Sequence, residues 1–145
     1  MESLQLERTF TASPEQVFDA WTRADLLQAW FAPGEGFEIT AEADPRPGGR
    51  FRIAMRHVES GAPHVAVGEY LEVDRPRRIV CTWRWEEGDV AGQPETRLSL
   101  DFEPDGDGVR LRLTHERFPD GDLRDKHVQG WTSCLDRLVA HFAAA

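Results

Sequence analysis

From Phe37 to Glu116 the apolar positions recur every second residue, whereas from Val17 to Phe31 and again after Asp120 they recur every third or fourth. The first period belongs to strands and the second to helices. Phe51, Ile53 and Met55 alternate with Arg50, Arg52 and Arg56, and Leu98, Leu100 and Phe102 with Arg97, Asp101 and Glu103. Ile79, Cys81, Trp83 and Trp85 likewise oppose Arg78, Thr82, Arg84 and Glu86. Each segment has one dry and one wet face, as in an antiparallel sheet covered on one side only. Turn residues such as Pro47-Gly48-Gly49, Arg75-Pro76 and Asp105-Gly106-Asp107-Gly108 punctuate the run. They predict strands over Phe37–Asp44, Arg50–Val58, His64–Asp74, Arg78–Glu86, Thr96–Phe102 and Val109–Glu116, with a seventh at Leu4–Thr11. In the segment from His64, Val67, Leu71 and Val73 share a parity with Glu69, while Gly68 and Tyr70 share the other. A bulge at Gly68 reconciles them.

The flanks read as helices. Ser13, Pro14 and Gln16 form a capping box, and Thr22 with Asp25 repeats the device. Val17, Phe18, Ala20 and Trp21, then Leu26, Leu27, Trp30 and Phe31, give two short helices one apolar face each, and Pro33 and Gly34 stop the second. The last element is one long helix from Asp120 or Asp122 to about Phe142. Its stripe of His127, Trp131, Cys134, Leu135, Leu138 and Phe142 leaves Arg124, Asp136 and Arg137 outside. A helix of about 22 residues spans ~33 Å, enough to cross the sheet and cover its dry face. Gly130, inside it, costs ~1 kcal/mol against alanine. Either the helix approaches the sheet closely there, or room is kept beside Trp131 for a ligand.

The 145 residues contain no repeat, linker or low-complexity segment, so residues 1–145 form one domain. The formal charge is −9, and Lys126 is the single lysine among the cations. Such a surface repels phosphate, which argues against nucleic acid and anionic membrane as partners. Cys81 and Cys134 each fall on an apolar face and read as buried free thiols, as suits a reducing cytoplasm. The start, MESLQLERTF, lacks the basic and apolar regions of a signal peptide, and no apolar run is long enough to span a membrane. The expected location is cytoplasmic.

Strand, two short helices, six strands and a long helix: this order resembles the START-like, or SRPBCC, superfamily. Within it the chain is similar to the branch of the activator of heat-shock protein 90 ATPase homologues. The resembling pieces are S-P-E-x-V-F-x-A-W-T with L-x-x-W-F, the P-G-G-R-F hairpin, G-E-Y-L-E-V with T-W-R-W, and H-V-x-G-W-x-x-x-L-x-x-L in the last helix. The resemblance covers nearly the whole chain. It implies an α+β helix-grip fold, β-α-α-β6-α, in which a seven-stranded curved antiparallel sheet wraps around a long C-terminal helix. The superfamily includes lipid carriers, hormone receptors, aromatic cyclases, oxygenase domains and co-chaperones, so function must be argued from the site. The eukaryotic activator has a separate N-terminal domain that makes much of the chaperone contact. No counterpart precedes Glu7 here, and stimulation of a heat-shock protein 90 ATPase is not expected.

Members of the superfamily often hold a cavity between sheet and helix. Common inward parity, together with the resemblance, selects Trp30, Phe51, Met55, Trp83, Trp85, His115, Trp131 and Leu135 as its lining; the alternative is that the rings simply fill the core. His115 continues the parity of Val109, Leu111 and Leu113, so it either orients a ligand or is a satisfied core histidine. Glu69 is an inward carboxylate or half of an ion pair. His127 is a pocket rim or a capping neighbour. His57 and His64 flank one hairpin but bring only two metal ligands, and no phosphate loop or nucleophile motif is present. No cofactor, metal or catalytic residue is therefore expected. The expected partner is a small apolar or aromatic molecule. A chaperone and a cyclase- or hydrolase-type reaction at His115 and Glu69 stand as alternatives, and the chain is expected to be a monomer or homodimer.

Overall fold

The computed structural model describes residues 1–143. Its elements run β1 (Glu2–Phe10), α1 (Pro14–Thr22), α2 (Ala24–Trp30), β2 (Phe37–Ala43), β3 (Arg50–His57), β4 (Pro63–Asp74), β5 (Arg78–Glu87), β6 (Thr96–Asp105), β7 (Gly108–Phe118) and α3 (Gly121–Ala143). The strands form one antiparallel sheet in the order β1-β7-β6-β5-β4-β3-β2. Five hairpin steps lead from β2 to β7, and β1 closes the order beside β7, so α1 and α2 bridge from one edge of the sheet to the other.

The capping box forms as the residues dictate: the Gln16 amide donates to Ser13 Oγ, and the Ser13 amide donates to Gln16 Oε1. The second box does not form. Helix α1 runs through Thr22, whose hydroxyl donates back to the Phe18 carbonyl, and the extended residue between the helices is Arg23. Its guanidinium pairs with Asp25, leaving that carboxylate without a capping role. At the sheet edge Gln28 of α2 accepts the free amide of Ala41 in β2 at 3.0 Å. A ladder position open to another chain is thereby covered.

The alternation in β3 and β7 is matched by burial, and in β6 it is broken only at the buried Ser99; Leu100, Phe102, Leu111 and Leu113 lie inside. The bulge in β4 falls at Leu71 and not at Gly68. Tyr70 pairs with Cys81 and Glu72 with Val80, so Leu71 is the extra residue and is 42% exposed. Tyr70 and Val73 then both face inward, and Glu69 takes the outer face. Gly68 is required for another reason, since a Cβ there would collide with the Thr82 carbonyl and the Phe51 ring. On the wet face, pairs such as Arg112–Glu7 and Arg110–Glu103 at 2.9 Å tie neighbouring strands.

Asp120 accepts the Leu123 amide at 2.8 Å and starts α3. Its buried stripe is Leu123, His127, Trp131, Cys134, Leu135 and Leu138. Cys81 and Cys134 are both buried and unlinked. Among the described residues no helix is long and apolar enough to cross a membrane.

Candidate functional site

Helix α3 rests on β1 and β7 and touches α2. Towards β2 to β5 it stands away from the sheet, leaving a cavity of about 490 Å³, within the range of small-molecule sites. Met55, Trp83 and Trp85 line its sheet side. His127, Gly130, Trp131 and Cys134 line its helix side, and Phe31 and Pro33 close the end beneath α2. Phe37, His64, Asp89, Val90 and Lys126 complete the wall, with Asp89 and Lys126 exposed at the mouth.

Gly130 is explained by this gap. A Cβ built there meets nothing within 4 Å, so close helix-to-sheet approach is not the reason for glycine, and the missing side chain leaves volume to the cavity.

The ring nitrogens of Trp85, His127 and Trp131 in this wall are already committed. Trp131 Nε1 donates to His115 Nδ1 at 2.9 Å. An indole nitrogen can only donate, so Nδ1 holds the lone pair and the His115 proton sits on Nε2. From there it is given to Thr96 Oγ1 at 2.6 Å, and the Thr96 hydroxyl donates to the Trp83 carbonyl at 3.1 Å. His127 takes the opposite tautomer. Its Nδ1 donates to the Leu123 carbonyl at 2.8 Å, and its Nε2 accepts from Trp85 Nε1 at 2.9 Å. Each histidine thus joins α3 to the sheet as a neutral ring. Burial holds His115 well below the ordinary imidazole range, and His127 adds to the effect. Burial also lowers His127, partly offset by its bond to Leu123. Burial pushes both thiols the other way, to about 12.

Of the residues expected from sequence, Met55, Trp83, Trp85 and Trp131 meet at this wall. The others lie elsewhere. Trp30 donates to the Ala20 carbonyl beneath Trp21. Phe51 packs on Tyr70 and on the side of Trp83 remote from the main cavity wall, and Leu135 is buried in the core. His115 is fully buried, one bond behind Trp131. Glu69 lies on the outer face. His57 is held by the Ser60 hydroxyl and amide, and among the described residues no group of three His, Cys, Asp or Glu is placed to hold a metal. Sequence reasoning missed Phe31, Pro33, Phe37 and Val90 as lining. Only Phe37, opening β2 with the inward parity of its neighbours, carried a signal.

A curved antiparallel sheet closed on a C-terminal helix, with a cavity held between the two, defines an α+β helix-grip domain. The chain belongs to the family described as activator of Hsp90 ATPase homolog 1-like protein, whose model matches residues 11–143. Among solved structures it is similar to an AHSA1 protein from Silicibacter pomeroyi, at 28% identity and TM-score 0.85 over 99% of both chains. A protein from Chromobacterium violaceum is similar at 27% identity and TM-score 0.84 over 98% of both chains. An Hsp90 activator from Plasmodium falciparum shares the fold at 23% identity and TM-score 0.70, over 92% of this chain and 90% of that one. No curated protein matches the chain.

Proposed function

We propose that this protein binds a small, largely apolar molecule in the cavity between α3 and strands β2 to β5. The observation that carries this reading is a largely carbon wall in which Trp85, Trp131 and His127 spend their ring nitrogens on partners within the protein. A surface of that kind offers aromatic faces to a guest and few sites to water. Met55, Trp83, Trp85 and Trp131 form the contact surface. His115 positions Trp131 from behind, and its two occupied nitrogens leave it no proton chemistry towards the cavity.

Titration with Nile red tests the reading. Saturable binding with one site per chain is expected, weakened by Trp83→Ala and indifferent to charge reversal at Arg84, Arg97 or Arg112 on the wet face. Absence of saturable binding overturns it.

A second reading, action on a chaperone, is supported by the family's description and by the Plasmodium falciparum activator of the same fold. It places the working surface on the exterior. Salt-sensitive stimulation of a heat-shock protein 90 ATPase, abolished by reversing those three arginines, would establish it.

A further inference from the structure

Behind Phe31 and Trp83, which belong to the walls of both, lies a second chamber of about 30 Å³. That is room for about one heavy atom with its hydrogen bonds. Trp21, Phe51, Tyr70 and Cys81 are among its other walls.

The tryptophans of the core fall into two groups. Trp30, Trp85 and Trp131 each donate their indole proton, to Ala20, His127 and His115. Trp21 Nε1 and Trp83 Nε1 donate to nothing, and among the described residues they are the buried side-chain nitrogen and oxygen atoms without a partner. The side chains that carry them are both walls of the small chamber. A buried donor left unpaired costs about 1–3 kcal/mol. Two such costs on side chains that share one chamber point to an acceptor there.

The chemistry of the remaining walls narrows the acceptor. Burial keeps the Tyr70 hydroxyl and the Cys81 thiol protonated, so they add donors. No charged side chain lines the chamber. A carboxylate would be buried there without a cation, at heavy cost. A water molecule would need acceptors for both of its own protons, and among these side chains only the Tyr70 oxygen is a good one. A neutral oxygen bonded to carbon asks only for donors.

We propose that the small chamber receives the oxygen of a neutral carbonyl compound whose apolar body fills the larger cavity. The inference rests on the reading that the larger cavity binds small molecules, and deepens it by naming the ligand class as aryl or alkyl ketones and aldehydes.

Two probes of nearly equal size test it: 2-acetylnaphthalene, which has the oxygen, and 2-ethylnaphthalene, which lacks it, each displacing Nile red. A purely apolar site ranks the hydrocarbon first, because the ketone must give up its water. With waiting donors the ketone is expected to bind severalfold more tightly. Trp21→Phe keeps a ring, removes one donor and is expected to weaken the ketone about tenfold while leaving the hydrocarbon unchanged; Trp83→Phe, whose ring also lines the larger cavity, is expected to weaken the ketone about tenfold more than the hydrocarbon. If the hydrocarbon leads in the wild-type protein, or if the preference survives both substitutions, the inference fails and the apolar cavity stands. If neither probe displaces the dye, the cavity reading fails with it. Should a variant not fold, the wild-type ranking decides alone.

Discussion

Trp85 on β5 hands its indole proton to Nε2 of His127 on α3 at 2.9 Å, so sheet and helix are joined beside the cavity by a bond that exists only while His127 is neutral. His115 stands in the same relation to Trp131. An imidazolium has no lone pair to offer either indole.

Stability is therefore expected to fall on mild acidification. Both histidines are held below their ordinary range, while in the unfolded chain they titrate near about 6.5. Below that pH the unfolded state takes up protons that the folded state refuses, so folding weakens as pH falls. Each histidine contributes at most about 1.4 kcal/mol per pH unit until its folded value is reached. Urea midpoints at about pH 7.5 and about pH 5.5 check this; equal midpoints would contradict it.

Trp131→Ala should cost roughly 3–5 kcal/mol, the range for a large buried aromatic, and it also strands His115 Nδ1 without a donor. Arg110→Ala, whose side chain pairs with Glu103 on the wet face, should barely move the melting temperature. Thermal melts of the two variants side by side are the measurement. Equal, mild effects would mean that the α3 stripe is not the core.

At Gly130 stability and binding should part company. Gly130→Ala places its methyl in open space and should stabilise α3 by about 1 kcal/mol. Gly130→Trp should fill the cavity and abolish Nile red binding while the protein stays folded. Retained binding in the tryptophan variant would show that the dye sits elsewhere.

The thiols should be inert in the native state. Cys81 and Cys134 are buried, with their protons held to about 12. Iodoacetamide at about pH 8 should modify neither until denaturant is added, a mass measurement that prompt labelling of the folded protein would contradict.

What the sequence revealed follows the range over which each signal acts. Alternation is local and gave the strands β3, β6 and β7 with their faces, and the box at Ser13 is settled within four residues. The bulge at Leu71 depends on how β4 registers against β5, which no residue of β4 states by itself. Thr22 had two uses for one hydroxyl, and continuation of α1 took it. The site was half legible for a related reason. Parity tells which face Phe51 or His115 occupies but not whether α3 lies close to the sheet at that point or stands away. Trp83 and Trp131 were found because they lie where the gap opens, while Val90 sits in a loop that carries no periodicity at all.

The bonds from Trp131 through His115 and Thr96 to the Trp83 carbonyl run behind the cavity surface and touch nothing within it except the backs of two rings. Other lining residues, such as Phe37, Val90 and Lys126, take no part in that seam. Descendants of this chain can therefore exchange the rim while inheriting the seam unchanged, and a differently lined cavity requires no new way of folding.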